Sequence, residues 1–106
     1  MPVTRPLTPA EIKSDYEANT GHAIVRAFKK LDPLETPAVL VAGHAPFCWG
    51  RTPAGAAHIA VVLEEVASMA LDTLQINPRA GALERPLHAK HFYRKHGTTA
   101  YYGQKK

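Results

Sequence analysis

Histidine and tyrosine are the side chains here best suited to bind a cation or move a proton, and they fall in two places. His44 stands directly after the apolar run Ala38-Val39-Leu40-Val41-Ala42, in a turn with Gly43 and Pro46. Strand ends are where rigid scaffolds present functional groups. An imidazole at such a point can be a metal ligand, a general base or a hydrogen-bonded structural residue. His88 and His91 are three apart and share one helical face, with His96 five residues further on. The three resemble a metal cluster, but zinc sites draw three or four ligands from more than one element, so solvated surface histidines are the simpler reading. Tyr101-Tyr102-Gly103 lies beside several cations. That pair suits a stacking platform for bases, a phenol acting as acid or base, or packing against a neighbouring subunit. Cys48, between Phe47 and Trp49, reads as a small buried filler, and the two aromatics as core. No glycine-rich phosphate loop, CxxC, HExxH or nucleophile elbow is present.

These groups need elements to hold them. Thr8-Pro9-Ala10-Glu11 is a capping-box helix start, and helical apolar spacing continues through Ile12, Tyr16, Ile24, Ala27 and Phe28 until Pro33 disfavours helix at Asp32. The run 38–42 predicts a strand buried on both faces, and Phe47–Gly50 a second short strand. Thr52-Pro53 repeats the cap-then-proline signal and opens a helix to about Ile76, ended by Asn77-Pro78. Its polar stripe is Glu64, Glu65, Ser68, Asp72 and Gln75. The remainder is apolar, wide enough to pack on a sheet, another helix or another subunit. A last helix is expected over Pro86–His96 with Gly97 as its cap, followed by a polar tail, residues 98–106. The order is an α/β mixture. Two short strands make a marginal sheet, so the apolar strand and the wide helix are expected to find partners outside this chain.

The chain has 106 residues, room for one small domain. No apolar run approaches the roughly 20 residues of a membrane span, and the first residues show no secretory h-region, so no membrane association is expected. A lone cysteine suits the reducing cytoplasm. The net charge of +4 hides an asymmetry: residues 1–84 carry a net −2, and residues 85–106 carry +6 with no acid. A basic end suggests an anionic partner, either a phosphorylated small molecule, an acidic protein face or nucleic acid, against the plainer alternative of a solvated helix.

Several stretches together resemble one family. They are Val3-Thr4-Arg5-Pro6-Leu7-Thr8, Tyr16-Glu17-Ala18-Asn19-Thr20-Gly21, His44-Ala45-Pro46-Phe47-Cys48-Trp49-Gly50, Val61 to Ala67, Lys90 to Gly97, and Ala100-Tyr101-Tyr102-Gly103-Gln104. They look like the class II aldolase/epimerase family, and the closing stretch resembles its L-ribulose-5-phosphate 4-epimerase branch. The resemblance implies that residues 1–106 are the C-terminal part of a single three-layer α/β/α sandwich whose N-terminal half is absent. It implies a homotetramer with sites between subunits, a role in arabinose catabolism, and a pentulose phosphate substrate epimerised by metal-assisted retro-aldol and aldol steps. It implies His44 as a zinc ligand, Tyr102 as an acid/base reaching a neighbouring subunit's site, His91 near that site, and Glu17 near an interface. The family's His-x-His pair, which completes the zinc site, is absent from this chain, and Ala45 replaces a usual glycine, a strained choice if that turn needs positive φ. The chain alone is therefore expected not to turn over, and to need further copies or a complementary N-terminal half. The alternatives are a non-catalytic remnant or interaction subunit, and, least favoured, a small nucleic-acid binder.

Overall fold

The computed structural model describes residues 1–102 of the 106. It divides into two units, Met1–Leu71 and the residues from Asp72 onward.

The first unit begins with an extended segment tied to the sheet. Helix α1 (Pro9–Lys13) follows, with the capping box formed as expected: the Glu11 amide donates to Thr8 Oγ1, and the Thr8 amide donates to the Glu11 carboxylate. Glu11 also takes a two-pronged ion pair from Arg5 at 2.6 and 2.9 Å, with Arg26 at 3.6 Å. The Arg5 guanidinium, aided by the Thr8 amide, holds the Glu11 carboxyl down at about 2. The single long helix expected from Pro9 does not form. Ser14 ends α1, and Asp15 caps a new helix, α2 (Tyr16–Ala27), by accepting from the Ala18 amide at 3.4 Å. Ser and Asp compete for backbone donors and so favour caps over helix interiors. Asn19 closes the break by donating to the Glu11 carbonyl at 2.9 Å and to Ser14 Oγ at 3.1 Å.

The sheet is shorter than the apolar run suggested. Strand β1 (Ala38–Val39) pairs antiparallel with β2 (Phe47–Cys48), in the register Ala38 to Cys48 and Val39 to Phe47. Leu40 turns instead to the first residues. Its amide donates to Pro2, its carbonyl accepts from Thr4 at 2.9 Å, and Val3 bridges it in parallel. Buried Thr4 takes the Ala42 amide on its hydroxyl at 3.1 Å. Among the described residues the core consists of Ala23, Ala38, Val39, Val41 and Leu63, with Thr4 and Thr20, and only the Val39 side chain is wholly enclosed.

Helix α3 (Pro53–Ile76) is capped by Thr52, whose hydroxyl accepts from the Gly55 amide at 3.1 Å. Of its side chains only Leu63 is buried, while Val61, Val62, Val66, Met69, Leu71, Leu74 and Ile76 are exposed. Contrary to the reading of its short apolar runs, α3 is long and apolar enough to cross a membrane by length and composition, the one such helix among the described residues. The adjacent carboxylates Glu64 and Glu65 lie near its middle. An acid at mid-bilayer costs about 3 kcal/mol on insertion scales, so a protein partner suits this helix better.

In the second unit, Asn77 ends α3 with an Asx turn to the Arg79 amide, and α4 spans Arg85–His96 with no buried residue. Gly97 follows α4, its amide donating a hydrogen bond to the Tyr93 carbonyl, but its φ is −75°, not the left-handed cap expected. Close approach explains the glycine instead, since a Cβ there would lie 2.6 Å from that carbonyl oxygen.

Candidate functional site

The turn that carries His44 is built from the end of the buried strand. The His44 amide donates to the Val41 carbonyl at 2.9 Å, and Gly43 takes φ 73°. Glycine at the third position of such a turn supplies positive φ without steric cost. Among the described residues no non-glycine has positive φ, so Ala45 is unstrained and the penalty considered for it does not arise.

His44 is exposed and lines a cleft of about 240 Å³ with Phe47 and with Tyr16, Glu17, Thr20, Gly21 and Ile24 of α2. The wall exists because α2 restarts at Tyr16. Thr20 is held by its hydroxyl on the Tyr16 carbonyl at 2.8 Å, and Gly21 leaves open space, with nothing within 4 Å of where a Cβ would stand. The imidazole Nδ1 lies 3.1 Å from the Ala45 carbonyl oxygen, and the ring stacks on Phe47 with centroids 5.2 Å apart and planes at 21°. A larger hollow of about 420 Å³ adjoins the same strand end, lined by Pro6, Leu7, Ile12, Val41, Ala42 and Gly43 and sharing the Tyr16 and Thr20 wall.

The expected core aromatics divide. Trp49 is half-buried, meets Phe28 edge-on at 5.3 Å and donates its indole N–H to the Pro33 carbonyl at 2.8 Å. Phe47 is not core: it is 39% exposed, and its ring faces His44. Cys48 is half-buried rather than enclosed.

The other expected site residues lie on the second unit. His91 is exposed on α4. Both the Tyr101 and Tyr102 amides donate to the Arg94 carbonyl at 3.0 Å, which turns the chain back over the helix end. The Tyr102 ring then sits under cations, 4.6 Å from the Arg94 guanidinium carbon and 5.6 Å from Lys95 Nζ. This arrangement stabilises ring and cation together. His96 packs on Phe92 at 4.9 Å, and His88 is exposed. Gly103 to Lys106, with the end of the tail, lie outside the described residues.

Among the described residues no three histidine, cysteine, aspartate or glutamate side chains form a group able to hold a metal ion. His88, His91 and His96 are exposed on α4, and His44 offers one donor rather than a set. Sequence reasoning missed Tyr16, Thr20 and Ile24 as walls of the cleft. The α2 restart at Asp15 was the available signal.

A small sheet flanked by helices, with a histidine turn at the strand end, belongs to a broad α/β class. Residues 2–71 match the Class II Aldolase and Adducin N-terminal domain, and the chain belongs to that family. It is similar to the L-ribulose-5-phosphate 4-epimerase UlaF of Salmonella paratyphi C (strain RKS4594) and of Salmonella choleraesuis (strain SC-B67), at 47% identity over 99% of this chain and 46% of each relative. The same protein of Salmonella paratyphi B (strain ATCC BAA-1250 / SPB7) matches equally. The chain thus spans about half the length of the curated relatives it matches.

Proposed function

We propose that this chain carries part of the active site of a pentulose-phosphate 4-epimerase, interconverting L-ribulose 5-phosphate and D-xylulose 5-phosphate. In this reading residues 1–106 are the C-terminal part of one three-layer α/β/α domain, with residues 98–106 as a functional tail. Further copies, as in a homotetramer, or a complementary N-terminal half complete it in the cytoplasm, with neither membrane nor nucleic acid as partner. The observation that carries the reading is His44 itself: an exposed imidazole at a strand end, lining a cleft with Tyr16, Glu17 and Thr20, with Nδ1 on a carbonyl oxygen.

His44 fits one position of a divalent cation, zinc in this reading, and the described residues supply no further ligand set. Catalytic zinc sites use three protein ligands, so the remaining donors come from polypeptide beyond this chain and the chain alone is inactive. A bound cation supplies Lewis acidity to the oxygens of a ketose phosphate. The chain's own residues supply proton traffic. Inverting a carbinol carbon by breaking and remaking its carbon–carbon bond takes the hydroxyl proton off and returns it on the other side. In this reading the Tyr102 phenol gives and takes that proton, and His91 supports it from α4. Arg94 and Lys95 over the Tyr102 ring hold it at the end of α4 and attract a phosphorylated substrate.

Co-expression with a polypeptide matching the rest of the relatives' length tests this. The complex converts L-ribulose 5-phosphate to D-xylulose 5-phosphate and the chain alone does not. A folded complex without turnover would instead favour the second reading, an interaction subunit that keeps the family's packing surfaces. The open apolar face of α3 and the missing His-x-His pair speak for that alternative.

A further inference from the structure

We propose that Phe47 is a positioning residue for His44, and that with the Ala45 carbonyl it presets the imidazole as the Nδ1–H tautomer with the Nε2 lone pair free. This rests on the reading of His44 as a cation donor.

A backbone carbonyl oxygen can only accept. Nδ1 lies 3.1 Å from that of Ala45, so Nδ1 carries the hydrogen. In the neutral ring Nε2 is then the unprotonated donor atom, the form a metal-binding histidine needs. One hydrogen bond leaves the ring free to tilt about it. The Phe47 face at 5.2 Å, nearly parallel at 21°, removes that freedom. Phe47 can do this because it sits in β2, where Val39 pairs with it across the sheet. The strand that ends just before the His44 turn therefore also fixes the ring that braces it. Its 39% exposure, unexpected for a core phenylalanine, follows from covering a side chain that must itself stay open to the cleft.

The tautomer is measurable without any metal. Long-range proton–nitrogen correlation spectra of the ¹⁵N-histidine-labelled chain, recorded about two units above the ordinary histidine value of about 6.5, distinguish protonated from bare ring nitrogens. The expected result is a protonated Nδ1 and a bare Nε2 for His44. Phe47→Leu is expected to move His44 toward a mixture, with the Nε2–H form at least doubled, while Phe47→Tyr restores the single tautomer. A His44 ring protonated at Nε2 in the unaltered chain overturns the proposal, as does Phe47→Leu leaving the ratio unchanged. The unaltered spectrum decides even if the leucine variant does not fold. Metal content of the co-expressed complex with and without His44→Ala tests the underlying reading separately. A preset Nδ1–H ring together with unchanged metal content leaves Phe47 as a brace and removes the cation role.

Discussion

Replacing Gly50 by alanine puts a methyl group 2.7 Å from the Ala56 amide nitrogen and 2.8 Å from the Gly55 carbonyl carbon. Ordinary contact there is 3.4–4 Å, so the two segments must separate by roughly 0.7 Å. The atoms met are backbone in the first turn of α3, which no rotamer change can move aside. Overpacking of this kind costs about 1–3 kcal/mol. The lost entropy of the unfolded glycine returns about 0.4–1 kcal/mol. The net expectation is about 1–2 kcal/mol of destabilisation, or about 1 M off the urea midpoint for a slope of about 1–2 kcal/mol per M. Gly21→Ala is the internal control. It lies inside α2 with nothing within 4 Å of the new carbon, so helix propensity dominates and stability rises by about 0.5–1 kcal/mol. Urea unfolding followed by far-ultraviolet circular dichroism reads both. Midpoints that move in the same direction, or a Gly50→Ala midpoint equal to the parent's, refute the close approach of the His44–Gly50 segment to α3.

Val39→Ala empties part of a fully enclosed side-chain site and is expected to cost about 2–3 kcal/mol, two buried carbons plus a cavity, read in the same urea experiment. The Glu11 carboxyl is held at about 2, below its ordinary 4.5, by Arg5 and the Thr8 amide. Its folded-state value is depressed, so its contribution is complete above about 4.5 and disappears as pH falls toward about 2. Glu11→Gln should flatten the pH dependence of the urea midpoint in that window, most visibly at low salt, and an unchanged slope would contradict the assignment. Tyr102→Phe in the complemented enzyme keeps the backbone turn to Arg94 and the ring under its cations while removing the phenol proton, so kcat should fall about 10²–10⁴-fold. A loss under tenfold argues against the acid/base role.

Local signals carried much of this fold. Thr8 with Glu11, Thr52 with Pro53, and Asn77 with Pro78 each act within a few residues, and the helix ends fall where these place them. The break at Ser14-Asp15 was hidden because apolar spacing runs straight through it, although Asp15 is a good cap by type. The short strand was hidden for a different reason. Leu40 pairs with Pro2 and Thr4, and no periodicity in 38–42 records a partner so distant along the chain. The sequence singled out His44 by its position after an apolar run, whereas Phe47 looked like core because residue type speaks for burial and not for what a ring faces. The exposed face of α3 was legible as excess apolar width, since an amphipathic stripe that broad has no counterpart in two short strands.

The central claim is that His44 gives one donor to a divalent cation whose other ligands lie outside this chain. Zinc titration of the metal-free chain and of its complex with the complementary half, followed by competition with a chelating dye, tests it directly. The account predicts weak binding by the chain alone, one tightly held ion per complete site in the complex, and loss of that ion on His44→Ala. Tight stoichiometric zinc with turnover in the chain alone, or full zinc retention by the His44→Ala complex, contradicts it.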